Sequence, residues 1–311
     1  MKHNRRKFIE KTASATAALL LTSITNFAET KSPKADMNTN FELKLLATNW
    51  GFEGSLDNYC DKVKKAGYDG IEIWWPMDTK AGDELFIALK KYNLEVGFLC
   101  GAQQSNYKEH LQYFKQMTVA AATNNIQKPL YINCHSGRDY FSYEENIVFI
   151  DHTLQLSKIT GIPIYHETHR SRMLFAAPVA KQYMQKIAGL RITFDVSHWC
   201  NVSETLLQDQ PETLALAIER ADHIHARIGH PEGPQVNDPR APEWEAAMNA
   251  HLAWWDEIVS RKKKAGERLT ILTEFGPADY MPAMPYTRQP LADQWGINVY
   301  MMNLLRKRYE S

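Results

Sequence analysis

The sequence has few of the features that mark several common classes of protein. Its 311 residues carry 36 basic and 36 acidic side chains, so the formal net charge is zero. That balance gives no bulk attraction for a nucleic acid or an anionic membrane. There are only four cysteines, and none has C-x-x-C spacing. A chain of this size needs no disulfide framework, and the cysteines therefore point to no particular chemistry.

Long hydrophobic runs are also missing. The apolar run at residues 13–24 is too short to span a membrane, and it follows the basic start MKHNRRKF. The pair Arg5-Arg6 with the residues after it resembles the twin-arginine export signal of bacteria. We therefore expect an exported, periplasmic protein. An ordinary secretory signal or an uncleaved anchor is the alternative.

The domain organisation follows from where this leader ends. Asn26-Phe27-Ala28 is a passable cleavage site, so we predict a signal peptide over residues 1–28. Residues 29–40 are polar and are predicted to form a linker. The remaining residues, 41–311, suit one large domain, because α/β barrels often form a single domain of about 200–250 residues.

From Phe41 onward, short β-type runs alternate with longer amphipathic runs, and eight strands are predicted. Their bounds are Leu43–Thr48, Gly70–Trp74, Glu95–Leu99, Pro129–Cys134, Pro163–Glu167, Arg191–Asp195, His223–Arg227 and Thr270–Glu274. Strand–helix–strand units give parallel neighbours, and eight units favour a closed (β/α)₈ TIM barrel. An open doubly wound sheet would carry a glycine-rich turn after its first strand, and Thr48–Phe52 is not such a turn.

The last four predicted strands each end in an ionisable residue. These residues are Glu167, Asp195, His225 and Glu274. The βα ends of barrel strands meet at one rim, so the four groups are expected to converge. Three carboxylates alone would repel one another, whereas a divalent cation would hold them together. The oxygen-rich set favours Mn²⁺, with Mg²⁺, Co²⁺ and Zn²⁺ as alternatives. A single such residue would more often form an ion pair or a helix cap.

This pattern resembles the xylose-isomerase-like TIM-barrel superfamily, the sugar phosphate isomerase/epimerase family, over about residues 41–308. The resemblance implies that Glu167, Asp195, His225 and Glu274 bind the metal. It also implies that Glu167 and Glu274 are the catalytic acid and base. The D-x-x-H pattern of Asp195 and His198 implies that His198 contacts the substrate.

The sequence departs from the family's ketose epimerases at two places. Met173 stands where they have a second acidic residue, and Pro231 stands where they have an arginine. Here a basic cluster follows Glu167, and Arg227 lies beside the expected metal. The substrate-binding candidates are His198, His169, Arg227, His135 and Arg170, with Arg172 in the same basic cluster. Such cations can contact a carboxylate, a keto group or a developing enolate, or they can form a salt-bridge network at the rim.

Several other residues have weaker indications of a role. Glu72 is expected inside the barrel, either in a catalytic role or in a structural hydrogen-bonded one. Trp74 or Trp75 is a candidate wall for stacking a sugar, or simply a packing residue. The loop Gly229–Pro242 is long enough to be an active-site loop that brings His230 over the substrate.

The function predicted is metal-dependent isomerisation or epimerisation of a glycan-derived sugar by proton transfer next to a carbonyl. A 3-keto-glycoside lyase or hydrolase with the same metal site is the alternative. An endonuclease-IV-like phosphodiesterase and a non-catalytic sugar-binding barrel fit the sequence less well. The expected partner is a small-molecule carbohydrate, with no nucleic acid and no membrane span in the mature protein. Which sugar is bound, and whether the chain forms a homo-oligomer, are left open.

Overall fold

A computed structural model describes residues 40–310 of the chain. The predicted signal peptide and linker lie outside the described residues, apart from Asn40. Eight strands are present, close to the predicted ones. They are Glu42–Thr48 (β1), Gly70–Trp74 (β2), Glu95–Gly101 (β3), Ile132–His135 (β4), Ile164–Glu167 (β5), Ile192–Phe194 (β6), Ala221–Ala226 (β7) and Arg268–Thr273 (β8).

The strands are parallel throughout and close into a barrel in chain order, with β8 pairing with β1. The predicted TIM barrel is therefore confirmed. Nine α-helices of the described region surround it. They are Leu56–Ala66 (α1), Thr79–Tyr92 (α2), Tyr107–Thr123 (α3), Tyr143–Thr160 (α4), Ala177–Lys186 (α5), Val196–Ser203 (α6), Pro211–Arg220 (α7), Glu245–Ala265 (α8) and Gln294–Tyr309 (α9). A short 3₁₀ helix, Pro242–Trp244, precedes α8. Among residues 40–310, no helix combines the length and apolar character needed to cross a bilayer.

The helix ends follow from local capping chemistry. The Ser55 side chain accepts a hydrogen bond from the Asn58 amide and begins α1, and Gly67 ends it in the left-handed conformation. In α4, Ser142 and Glu145 form a reciprocal capping box. These caps fix where each helix begins against its strand, and hence where the βα loops leave the barrel.

Most of the apolar core lies between the outer faces of the strands and the helices. The inside of the barrel holds a second, small cluster of Leu46, Tyr131 and Leu272. Tyr131 fits there because Gly97 on a neighbouring strand has no side chain; a Cβ at Gly97 would lie 2.4 Å from the Tyr131 ring. Polar side chains lie towards the carboxyl ends of the strands, where the predicted site is.

Candidate metal centre and its cavity

The barrel brings the four predicted metal ligands together. One ligand atom each from Glu167, Asp195 and His225 lies within 4.8 Å of the others. His225 Nδ1 lies 3.0 Å from Glu274 Oε2 and 3.6 Å from Glu167 Oε2. All four residues are buried, at the ends of β5 to β8. Residues distant in sequence therefore converge where the strand ends were expected to meet.

Asp195 differs from Glu167 because neighbouring groups already engage both of its oxygens. It is the N-cap of α6, and its Oδ1 accepts hydrogen bonds from the backbone amide and hydroxyl of Ser197. Its Oδ2 accepts a hydrogen bond from the guanidinium of Arg227. A cation would share Asp195 with this arginine, whereas Oε1 of Glu167 is open.

Three buried atoms at the centre form no hydrogen bond of normal geometry among the described residues: Glu167 Oε1, Glu274 Oε2 and His225 Nδ1, of which the last two lie 3.0 Å apart in an ion-pair contact. Buried polar atoms are nearly always paired, and an unpaired one costs free energy. Two carboxylate oxygens and an imidazole nitrogen form a donor set suited to a divalent cation. The residues present therefore fit a metal ion.

The charges at the centre are strongly coupled. Burial raises the pKa of Asp195 to about 6, against the opposing effect of Arg227. Burial also opposes ionisation of Glu167, but the nearby rings of His135 and His225 outweigh it and hold its pKa well below the usual range. Burial disfavours the charged form of His225, yet the surrounding carboxylates, led by Glu274, raise its pKa well above normal. The carboxylates around His225 therefore favour a positive charge at this position.

Below the centre, Glu72 is hydrogen-bonded inside the barrel. This agrees with the structural role that was one of the two predicted for it. Its Oε1 lies 3.2 Å from His225 Nε2, and its Oε2 accepts a hydrogen bond from the Tyr131 hydroxyl at 2.8 Å. His223 lies two residues before His225 on the same face of β7, deeper in the barrel, and its Nδ1 is 2.9 Å from the carbonyl oxygen of Thr270. Glu72 also borders the cavity described next.

A cavity of about 450 Å³ lies above the centre at the barrel mouth. Aromatic side chains form two of its walls, and cationic and amide groups form much of the rest. The lining residues include Trp50, Trp74, Tyr280, Gln103, His135, His169, Arg172, Arg227 and Glu274. A space of this size with aromatic walls and many polar groups suits a small polar ligand.

Three of the predicted substrate-binding residues form a row of rings that contact one another at tilted angles. The rings of His135 and His169 lie 4.6 Å apart, and those of His169 and His198 lie 3.9 Å apart. His135 Nε2 is 3.0 Å from Glu167 Oε2. His135 and His169 line the cavity, but His198 is fully buried behind them, where its Nε2 accepts a hydrogen bond from Arg227.

The two predicted arginines occupy different positions. Arg227 lines the cavity and is bound from within by Asp195 and Glu274, with its Nη1 3.2 Å from Glu274 Oε2. It therefore belongs to a buried ion-pair network. Arg170 hydrogen-bonds Asn201 and lies 5.0 Å from the ring of Tyr280, outside the set of residues that line the cavity.

The structure also distinguishes the weaker candidates. Trp74 lines the cavity, 40% exposed, with its ring edge-on to His135. Trp75 instead packs against Phe98 in the core. His230 stacks on Trp244, 4.7 Å away, and is not among the cavity-lining residues. The expectation that His230 covers the substrate therefore has no support in this geometry.

Two contacts were not anticipated from the sequence. The rings of Trp50 and Tyr280, from the loops after β1 and β8, meet edge-on at 4.8 Å and form one wall of the cavity. Asn133 donates a hydrogen bond to Glu167 Oε2 at 2.7 Å. Strand alternation could have identified Asn133, because it shares the inward face of β4 with His135. No periodic signal marks the two loop aromatics.

Comparison with known proteins gives a fold match only. No family model matches the sequence, and no curated protein matches it. Among solved structures, a 3-keto-D-glucoside 4-epimerase from E. coli has a TM-score of 0.56 at 15% identity, covering 86% of this chain and 100% of that one. A D-tagatose 3-epimerase-like protein has a TM-score of 0.56 at 14% identity, covering 86% and 97%.

A probable 3-DHS dehydratase from Bacillus anthracis matches with a TM-score of 0.52 at 15% identity, covering 85% of this chain and 99% of that one. At such low identity the similarity establishes architecture, since one fold supports many activities. The chain therefore shares the TIM-barrel fold of these enzymes, the fold expected from its sequence.

Proposed function

We propose that this chain is a metal-dependent enzyme that transfers a proton next to the carbonyl group of a sugar, as isomerases and epimerases do. One observation carries the proposal: the buried oxygen Glu167 Oε1 has no hydrogen-bond partner among the described residues, and it belongs to the same cluster as His225 Nδ1 and Glu274 Oε2, which lie 3.0 Å apart. They lie beneath a cavity with aromatic walls. The open oxygen of Glu167 and the carboxylate of Glu274 are therefore available to bind a cation and to accept a proton from the substrate.

When bound, a divalent cation supplies Lewis-acid polarisation of a carbonyl, which acidifies the neighbouring C–H bond. Glu167, His225 and Glu274 would hold the ion, with Asp195 shared between it and Arg227. This arrangement uses the open oxygen of Glu167 and leaves the ion pair between Arg227 and Asp195 in place. It also accounts for why three buried carboxylates occur together.

The protein's own groups would move the proton. Asn133 and His135 hold one oxygen of Glu167 by hydrogen bonds and leave the other unpartnered. Glu167, ionised in this environment, is placed to take a proton from carbon, and Glu274 is placed to return one. Return to the same carbon from the other face is epimerisation, and return to the neighbouring carbon is isomerisation.

A second candidate function is elimination from a 3-keto-glycoside at the same site. There the C–H proton leaves to a carboxylate, the bond from carbon to the glycosidic oxygen breaks, and the departing oxygen takes a proton. The E. coli protein of the same fold is a 3-keto-D-glucoside 4-epimerase, and this favours a keto-glycoside among the sugars to be tried. Proton abstraction is common to both candidates.

The test is turnover in D₂O with a panel of free ketoses, aldoses and 3-keto-glycosides, followed by ¹H NMR. We expect deuterium to appear at the carbon next to the carbonyl. Release of the aglycone would mark elimination, and a changed sugar would mark isomerisation or epimerisation. Conversion of a sugar without deuterium incorporation would contradict the proposal. Metal analysis of the same preparation should give one divalent ion per chain, whereas a phosphodiesterase of this fold would be expected to hold several zinc ions.

A further inference from the structure

Arg172, which lines the cavity, and Arg138 beside it share a single neutral acceptor. The side-chain oxygen of Gln103 lies 3.2 Å from Arg138 Nη2 and 3.4 Å from Arg172 Nη2. Arg138 also donates to the backbone oxygen of Gln103, and Arg172 donates to that of Ala102. All the acceptors that hold these two guanidinium groups are uncharged. We refer to Arg138 and Arg172 as the arginine pair.

The charge of the arginine pair is not neutralised locally. Among residues 40–310, neither guanidinium has a carboxylate oxygen within 4.0 Å, and the Nε–H of each is buried with no partner. Arg172 is 5% exposed, and burial, followed by the nearby Arg138, lowers its pKa to about 10. Glu167 and Asp139 act on Arg172 only from beyond ion-pair distance. A buried cation without a directly paired anion costs free energy, and its retention points to a ligand that supplies the charge.

The arginine pair is held in a rigid frame. In the loop after β4, Gly137 has a φ of +57°, and the Asn146 amide on α4 donates to the Arg138 carbonyl oxygen at 2.9 Å. The loop after β5 joins this one through the Met173 amide, which donates to the Ser136 carbonyl oxygen at 3.0 Å. Two loops on adjacent strands thus present the two cations together, and preorganised charges bind anions with little loss of entropy.

The position of the arginine pair fits one end of a substrate. Arg172 and Gln103 line the cavity on the side of β3 to β5, next to His135 and His169. The carboxylates of Glu167 and Glu274 at the centre come from β5 and β8. A sugar with its carbonyl over that centre would therefore direct its far end towards Arg172.

We propose that the arginine pair binds an oxyanion on the substrate, so that the sugar is acidic. This inference rests on the proposed function, because it names the substrate class of the same site. A sugar carboxylate, a sulfate ester and a phosphate ester share the required chemistry, since guanidinium binds each of them through charge-assisted hydrogen bonds. In this arrangement Gln103 spaces the two cations, and the anion completes the charge balance at Arg172.

The test compares binding of matched methyl hexosides by calorimetry, with the full chain. Methyl glucuronide and methyl glucoside differ only at the carboxylate, and neither has a free carbonyl, so binding is measured without turnover. The galacto and manno pairs extend the set to other ring configurations. Methyl glucoside 6-sulfate and 6-phosphate identify which oxyanion is preferred. We expect at least one acidic glycoside to bind about ten- to a hundredfold more tightly than its neutral counterpart.

Variants show whether the arginine pair causes this preference. Arg172→Met should abolish the preference while leaving affinity for the neutral glycoside unchanged, and Arg172→Lys should retain part of it. Arg138 is more exposed, so Arg138→Met should reduce the preference for the acidic glycoside by a smaller factor. This variant provides the test if Arg172→Met does not fold. Arg261→Met is the control: it removes a positive charge from the outer helix α8, outside the loops after β3 to β5. The preference for the acidic glycoside should be unchanged in this variant.

Equal binding of acidic and neutral glycosides, or failure of every acidic one to bind, would overturn the inference. So would an acidic preference that survives intact in both the Arg172→Met and Arg138→Met proteins. These results are distinct from those for the proposed function. Deuterium incorporation reports on proton transfer whatever the charge of the sugar, and the hexoside affinities report on the arginine pair whatever the reaction.

Discussion

Nε2 of His225 lies 3.2 Å from Oε1 of Glu72, on the side of the imidazole ring turned away from the predicted metal ligands. The other ring nitrogen, Nδ1, faces Glu274 and Glu167. A carboxylate that accepts the Nε2–H bond leaves the lone pair on Nδ1, where a cation would be. Glu72 is thus placed to set the tautomer and the orientation of His225 from inside the barrel.

Replacement of Glu72 by Gln should therefore weaken metal binding without altering any direct ligand. Loss of such an outer carboxylate typically costs about 10–100-fold in metal affinity. The measurement is titration of the metal-free protein with Mn²⁺ by calorimetry, with circular dichroism to show that the barrel is intact. Tyr131→Phe is the matched control, because it removes a hydrogen bond to Glu72 but keeps the carboxylate; its effect should be much smaller. Unchanged Mn²⁺ affinity in Glu72→Gln would show that Glu72 does not position His225.

Glu167→Gln and Glu274→Gln should each reduce turnover by about 10²–10⁴-fold, the usual contribution of a general acid or base. Glu167→Gln should fold nearly as well as the wild type, since Glu167 Oε1 makes no hydrogen bond among the described residues, whereas Glu274→Gln removes the charge that faces Arg227 and should lower the melting temperature. Turnover is followed by NMR with whichever sugar proves to be a substrate, and the melting temperature reports the fold. Glu257→Gln on the outer helix α8 is the control for removal of a carboxylate. If either variant at the centre turned over the substrate at the wild-type rate, that glutamate would not carry the proton.

The sequence predicted the barrel well because the signals for it are local. Strand runs, helix caps such as Ser55 and glycine stops such as Gly67 each depend on a few neighbouring residues. Their order alone then dictates parallel pairing. The convergence of Glu167 and Glu274 follows from topology, since both end barrel strands. These features required no knowledge of side-chain packing.

Other parts of the site depend on packing that no local pattern encodes. Trp50 and Tyr280 meet only because the barrel closes β8 against β1, and both lie in loops without periodicity. The reach of Arg227 to Asp195 depends on the helix that begins immediately after Asp195. The family resemblance implied that His198 contacts the substrate; in the structure its ring is buried and is not among the cavity-lining residues, and the contact stays a prediction. The leader at residues 1–28 stays a prediction.

His251 should make the protein sensitive to acid. It is buried on α8, where its Nε2 accepts a hydrogen bond from the Gly229 amide, and burial lowers its pKa to about 4. The unfolded value is about 6.5. A depressed histidine pKa means that the unfolded state binds the proton first as pH falls. The stability contributed by neutral His251 is therefore complete above about pH 6.5 and is lost progressively towards pH 4.

The loss from His251 over that window is about 3 kcal/mol, from the pKa difference at about 1.4 kcal/mol per unit. Urea unfolding at several pH values between 7.5 and 4.5 measures it in the wild type. His251→Gln should be less stable at pH 7.5, because it alters a buried hydrogen-bonding group, but its stability should fall less steeply with acid. Parallel curves for the two proteins would exclude His251 as a source of the acid sensitivity.

Trp74 and Trp75 offer a paired comparison of a cavity wall with a core residue. Trp74 is 40% exposed and lines the cavity, so Trp74→Ala should weaken binding of a sugar by about 1–3 kcal/mol while changing the free energy of unfolding little. The ring of Trp75 packs on Phe98 at 4.8 Å, so Trp75→Ala should destabilise the fold by about 3 kcal/mol. Urea unfolding and calorimetry with the tightest-binding hexoside separate the two effects. Because the residues are adjacent on the chain, a general disturbance of the end of β2 would affect both measurements in both variants. Loss of binding confined to Trp74→Ala, with loss of stability confined to Trp75→Ala, is the result that identifies Trp74 as a sugar-contacting wall.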